Sequence, residues 1–259
     1  MSLSPNDTPV PCAVILTAIP VEYNAVREHL FDLEELTHPK GKVYEQGKFN
    51  GDNNEWKVGI AEVGAGNNRS ALETERAINF FDPQVMIFVG VAGGVKDLEL
   101  GDVVAAEKAY GYEHGKVAST GFLVRPEVGK STYTILERAR AESRRENWKA
   151  RINYSGDIKN NPSVIIKPIA AGEKVVTEIR SGVFKLIKSN YNDTVAVEME
   201  GSGFFTACHA NEGIQSLIVR GISDLLTNKE EADKDGYQEI AAKNASAFAF
   251  EVLSKFKIS

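Results

Sequence analysis

Three stretches of the chain, CAVILTA (Cys12–Ala18), QVMIFVGVAGGV (Gln84–Val95) and QSLIVRGIS (Gln215–Ser223), are apolar with almost no polar alternation. A strand with one wet face alternates apolar and polar residues, whereas a continuous β-branched run suits a strand covered on both faces. Such strands need helices on either side, and helical patterns separate them. VEYNAVREHL places Ala25, Val26 and Leu30 at helical spacing after Pro20, which suits a first turn. The segment after GAGNN predicts a helix with Leu72, Ala71, Ile78 and Phe81 on one face, and Ser131–Ile152 predicts another with a basic outer surface. GSGFFTACHA reads as a helix, and Gln238–Phe256 carries Ala241, Ala245, Phe248, Val252 and Phe256 as a buried stripe. KVYEQGKF and EWKVGIAEV flank the turn-rich NGDNN as a hairpin, so the sheet is predicted to be mixed. The expected fold is α/β: a single domain with a central mixed sheet flanked by helices.

The length of 259 residues accommodates one large core. Residues 1–11, MSLSPNDTPVP, read as a short disordered tail without the basic and apolar regions of a signal peptide, leaving 12–259 as the domain. The formal net charge of -6 sets nucleic acid aside as the main partner. Two distant cysteines without CxxC and four histidines without HExxH give neither a disulfide framework nor a metal motif, so no cofactor is expected. No window reaches the roughly 18 apolar residues of a membrane span. The expected setting is the reducing cytoplasm, with no membrane partner.

GAGNNR (Gly64–Arg69) begins like a dinucleotide fingerprint, but Arg69 occupies the third glycine's place, so a turn with close backbone approach is the better reading. GVAGG (Gly90–Gly94) stands where open α/β sheets bind ligands, and its N–H groups suit either an anion or sugar, or simply a tight turn. In VAVEME, strand alternation sets Val195, Val197 and Met199 on one face and Ala196, Glu198 and Glu200 on the other. Glu198 reads equally as a strand-end residue reaching solvent or as a pocket acid. Glu200 precedes a glycine-rich turn, where a carboxylate can accept both hydrogens of a ribose diol. Asp224 after the third apolar run suits a cap or a site acid, and Glu22 after the first suits a first-turn acid or a site acid. Three acids at the carboxyl ends of three buried strands converge on one cleft.

ILTAIPVEYNAV, GAGNN, VGVAGGVKDLELGDVV, AVEMEGSG and IVRGISD, in this order, resemble the nucleoside phosphorylase/nucleosidase superfamily, most of all the methylthioadenosine/S-adenosylhomocysteine nucleosidases. The resemblance implies a purine nucleoside phosphorylase-like domain assembled as a homodimer, a small purine nucleoside as ligand and no cofactor. By position, Glu22 matches the acid that activates water and Asp224 the acid that protonates the leaving purine. Met199 and Glu200 match the ribose contacts, Ser223 helps place Asp224, and Arg220 matches an arginine packed near the site. Val175 and Val176 fall where relatives contact the base. Val91, Gly93 and Glu198 complete the expected substrate-binding set.

The residue types suit N-glycosidic hydrolysis, with one carboxyl as acid and one as base. Hexameric phosphorylases of the superfamily bind phosphate with an arginine and a serine where this chain has Phe88 and Val91. Apolar side chains offer phosphate no charge-assisted bonds, so water is the expected nucleophile. Phosphorolysis, or nucleoside binding without turnover, are the alternatives. Methylthioadenosine nucleosidases tend to carry serine at Val91 and an aromatic near Val175, and this chain departs from them at both. Tyr112, His114, Lys116 and Arg125 suit either a solvated loop or a cationic lining for a phosphorylated 5′ group.

Overall fold

A computed structural model of the chain describes residues 10–119, 121–154, 161–176, 181–225 and 236–258. The first half runs β1 (Cys12–Thr17), α1 (Pro20–Arg27), β2 (Phe31–Thr37), β3 (Val43–Asn50), β4 (Glu55–Glu62), α2 (Asn67–Phe81), β5 (Val85–Gly94) and β6 (Val103–Gly111). A small hairpin, β7 (Gly115–Ala118) and β8 (Gly121–Val124), precedes β9 (Glu127–Lys130), α3 (Tyr133–Ser143) and a 3-10 turn (Asn147–Arg151). β10 (Val164–Ala171), α4 (Gly182–Asn190), β11 (Ala196–Glu198), α5 (Gly201–Ala210), β12 (Gln215–Leu225) and α6 (Tyr237–Lys255) complete it.

The three apolar runs form the centre of a mixed sheet, in the order β11-β10-β6-β12-β5-β1-β4-β3-β2. β1 lies parallel to β4 and β5, and β5 parallel to β12, as the uniform hydrophobicity predicts. β11 also pairs antiparallel with the end of β5, so β5, β12, β6, β10 and β11 close on themselves. Strand alternation sorts the core into two layers. Ala13, Ile15, Val85, Ile87, Leu217 and Val219 pack under α6, while Val14, Leu16, Met86, Phe88 and Ile218 pack with α2 and α5.

Four details differ from the sequence pattern. α6 is no stripe: every residue from Ala241 to Ser254 is buried, because α6 is also covered on its outer side by α1, α3 and the 3-10 turn. The helix expected over Ser131–Ile152 stops at Ser143, since a continuous helix would point Trp148 opposite Ile135, Ala139 and Glu142. The break brings Trp148 into the core, edge-on to Phe248. Leu72 is 56% exposed, and α2 instead buries Ser70, Thr74, Ala77 and Ile78. Small residues are needed there because α5 comes close: a Cβ at Gly203 would lie 1.9 Å from the Asn67 carbonyl oxygen. Finally, β5 continues through its glycines, while β11 is short and ends at Glu198.

Of the tail expected over residues 1–11, only Val10 and Pro11 lie among the described residues, and the Pro11 carbonyl accepts the Lys57 N–H at 2.9 Å. Among the described residues no helix is long and apolar enough to cross a membrane.

Because the obstacle at Gly203 is backbone on another helix, Gly203→Ala is expected to destabilise the fold by about 1–3 kcal/mol. Urea denaturation of the variant against the wild type reads this directly.

Candidate functional site

The site begins with an exchange of neighbours along one edge of β5. β1 pairs with that edge as far as Leu16↔Phe88, and β11 takes it over at Val197↔Gly93. The opposite edge stays paired with β12 from Val85 to Gly94. Between Phe88 and Gly93 the two partners splay apart, and a cavity of about 270 Å³ opens there. Val91, Ala92 and Gly93 form one wall, Ala18, Ile19 and Glu22 a second, and Val197 to Glu200 a third. Ser223 and Asp224 enter from β12. Strand alternation would send them to opposite faces, but the register against β5 shifts between Ile222 and Asp224, and this bulge lets both reach the cavity.

Glu22 sits in the first turn of α1, with Pro20 ahead of it. Its carboxylate turns back to accept the N–H groups of Ala18 at 2.7 Å and Ile19 at 3.1 Å, much as in a capping box. The other oxygen accepts the Val91 N–H at 2.8 Å, one of the donors that β5 leaves unpaired on this edge. Burial pushes the Glu22 carboxyl above its ordinary range, and Arg220 and these three N–H groups oppose the rise without cancelling it.

Arg220 is fully buried and does not reach the cavity surface. Its Nη2 donates to Glu200 Oε2 at 3.1 Å and forms a short ion pair with Glu198. The guanidinium lies 4.6 Å from the Phe88 ring centroid. It can occupy this position because its neighbour on β5 is Gly90, where a Cβ would sit 2.0 Å from Nη1 and 2.7 Å from Glu22 Oε1. Burial works against the arginine's charge, but Glu198, Glu200 and Glu22 outweigh it and raise its pKa further.

The two glutamates of the VEME motif have different surroundings. Glu198 accepts from the backbone N–H groups of Glu200 and Gly201 as well as from Arg220, so it closes the turn into α5. Glu200 accepts the Gly66 N–H at 3.0 Å and the Arg220 contact, and burial lifts it to about 7. Arg220 and Gly66 hold it down, while Glu198 pushes it up. Ser223 Oγ donates to Asp224 Oδ2 at 3.1 Å.

The cavity thus brings together Glu22, Val91, Gly93, Val175, Val176, Glu198, Met199, Glu200, Ser223 and Asp224, all expected from the sequence, with Arg220 behind them. Val175 is 60% exposed at the mouth, whereas Val176 is buried. Tyr112, His114, Lys116 and Arg125 do not line it; His114 pairs with Glu127 instead. Sequence reasoning missed Ile19, Ala65, Lys174 and Gln238 in the lining, and Gly66 as a donor. Gly66 lies inside GAGNN and Lys174 directly precedes Val175, but nothing local marks Gln238.

A carboxyl held above its unfolded pKa contributes stability at low pH that is lost as pH rises towards the folded value. Glu200, at about 7, therefore weakens the fold over the interval from about pH 4.5 to about pH 7. Glu200→Gln is expected to gain stability relative to wild type across that interval, as read by thermal melts at stepped pH. A constant difference would mean that Glu200 ionises without cost.

Known proteins give the arrangement a family. The phosphorylase superfamily model matches residues 13–255. The chain is 26% identical over 264 residues to the ATP nucleosidase Cap17 of Escherichia coli (strain KTE188), an alignment covering 94% of this chain and 51% of that protein. The chain therefore spans about half the length of that relative. It is also 26% identical over 249 residues to the 5'-methylthioadenosine/S-adenosylhomocysteine nucleosidase of Staphylococcus carnosus (strain TM300), covering 92% of this chain and 97% of that one. Its fold is similar to the Colwellia psychrerythraea 34H methylthioadenosine/S-adenosylhomocysteine nucleosidase solved with adenine, at TM-score 0.77, 22% identity and coverage of 94% and 95% of the two chains. It is also similar to a futalosine hydrolase mutant of Helicobacter pylori strain 26695, at TM-score 0.75, 23% identity and coverage of 95% and 100%. With the family model spanning nearly the whole chain and the same fold in these relatives, the protein belongs to the phosphorylase superfamily.

Proposed function

We propose that the protein is an adenine-nucleoside N-ribohydrolase acting on methylthioadenosine- or S-adenosylhomocysteine-like nucleosides. The observation that carries this reading is that Glu22, Glu200 and Asp224, far apart in sequence, line one cavity of about 270 Å³. In the proposed reaction a water oxygen attacks C1′ and gives its proton to Glu22, the C1′–N9 bond breaks, and Asp224 protonates the purine at N7. Glu200 accepts the 2′- and 3′-hydroxyls beside Met199, Ser223 orients Asp224, and Val175 and Val176 meet the base. Glu22 Oε2 accepts two N–H bonds and Oε1 accepts one, so Oε1 retains a lone pair for water. Burial makes the carboxylate a stronger base than it would be in solution. Glu198 and Arg220 hold these groups in place.

Water is favoured over phosphate by what surrounds Val91. Its N–H is already given to Glu22, and Phe88, where phosphorylases carry an arginine, is buried under Arg220. A second reading, hydrolysis of an adenine nucleotide, is favoured by Lys174, the one cationic side chain lining the cavity among the described residues. The similarity to an ATP nucleosidase points the same way.

We further propose a homodimer in the cytoplasm. The β7–β8 hairpin pairs with no other strand among the described residues and exposes Val117 at 83% and Leu123 at 51%, which suits a subunit contact. The two free cysteines suit a reducing compartment.

Purified protein incubated with methylthioadenosine, S-adenosylhomocysteine, adenosine and ATP is expected to release adenine without phosphate, as read by chromatography. Release only with phosphate would move the assignment to phosphorolysis, and ligand binding without release would make the protein a sensor. Glu22→Gln is expected to lower kcat by about 100- to 10,000-fold. Undiminished activity in that variant would remove Glu22 from its role.

A further inference from the structure

Glu173, an exposed residue just before the cavity-lining Lys174, has no part in the mechanism proposed above. The start of α2 presents two successive backbone N–H groups, and a different acid takes each. Gly66 N–H donates to Glu200 Oε1 at 3.0 Å, and Asn67 N–H donates to Glu173 Oε1 at 2.9 Å. Glu173 belongs to the segment 172–176, whose Val175 and Val176 form a wall of the cavity. That segment is anchored from outside. Glu113 accepts the Glu173 N–H at 2.7 Å and pairs with Lys174 Nζ. The Tyr112 ring fills the space beside Gly172, where a Cβ would come within 2.1 Å of it.

Glu173 therefore braces the turn from the side of this wall, while Asn67 Oδ1, which accepts the Gly203 N–H at 3.0 Å, ties the turn to α5. The turn has its own signature: Gly66 adopts φ +108°, and a Cβ there would lie 2.8 Å from Glu173 Oε2. The carboxylate packs against a position that only glycine tolerates. An N–H aimed at a carboxylate stabilises its charged form, so a displaced Gly66 would leave Glu200 harder to ionise.

We propose that Glu173 is a positioning residue: through the Asn67 N–H it holds the Gly64–Asn67 turn so that the Gly66 N–H stays aimed at Glu200. The geometry and ionisation of the sugar-gripping carboxylate then depend on a side chain that touches no substrate. The kinetic part of this inference rests on the role proposed above for Glu200; the electrostatic part does not.

Two substitutions separate positioning from simple charge. Glu173→Asp keeps the charge but is one methylene too short to reach Asn67 N–H from the same backbone. Glu173→Gln loses the charge but keeps the acceptor. The Glu200 carboxyl is titrated by ¹³C NMR of glutamate Cδ, with the resonance assigned through Glu200→Gln. The midpoint is expected to rise by about one pH unit in Glu173→Asp and to stay or fall in Glu173→Gln. Movement in the same direction in both, or in neither, would overturn the proposal. In steady state, Glu173→Asp is expected to raise KM about tenfold with kcat little changed, and Glu173→Gln to stay within about twofold of wild type. A fall in kcat at unchanged KM would also overturn it. The NMR arm needs no turnover, so absence of hydrolysis would defeat the hydrolase reading while leaving this inference to its own result.

Discussion

A guanidinium sealed from water, set among three carboxylates and laid across an aromatic ring, holds this site together. Arg220 alone would be costly to bury, and so would Glu22, Glu198 or Glu200. Together they stabilise one another, and removal of the cation from such a cluster typically costs about 3–5 kcal/mol. The cluster is asymmetric. Glu198 is committed to Arg220 and to the turn into α5, whereas Glu22 and Glu200 keep raised pKa values and unused lone pairs facing the cavity. Partial compensation of this kind leaves Glu200 able to exchange a proton near neutral pH. Gly90 makes it possible, since any side chain there would occupy the space that Arg220 and Glu22 share.

The backbone sets the stage for that cluster. β5 loses β1 at Phe88 and gains β11 at Gly93, so a few peptide groups in the middle of a sheet are left without a strand on one side. Buried N–H groups must find acceptors. Glu22 supplies one for Val91 and is itself fixed in doing so. A bulge in β12 and an early end to β11 then turn Ser223, Asp224 and Glu200 into the same opening. The cavity follows from how the sheet closes on itself rather than from any single loop.

Much of this was legible in the linear chain. Apolar runs identified the central strands, because burial on both faces leaves a composition that no amphipathic element shares. The acids at the strand ends were legible too, since a carboxylate following an apolar run is out of place unless something needs it. What misled was periodicity carried too far. Strand alternation in VAVEME does not extend to Glu200, which caps a helix, and helical spacing through Trp148 ignored where that ring had to go. The face of α2 was misjudged at Leu72 because nothing local says how closely α5 approaches.

The sequence by itself determined the α/β class, the chain order of the central strands and the residue types at their ends, because hydrophobic periodicity and turn chemistry act over a few neighbouring residues. Tertiary structure alone decided that β11 returns to β5, that Gly90 makes room for an arginine 130 residues downstream, and that Gly66 and Glu173 brace Glu200. Those relations join segments far apart in the chain, and they exist only once the sheet has closed and brought the segments into contact.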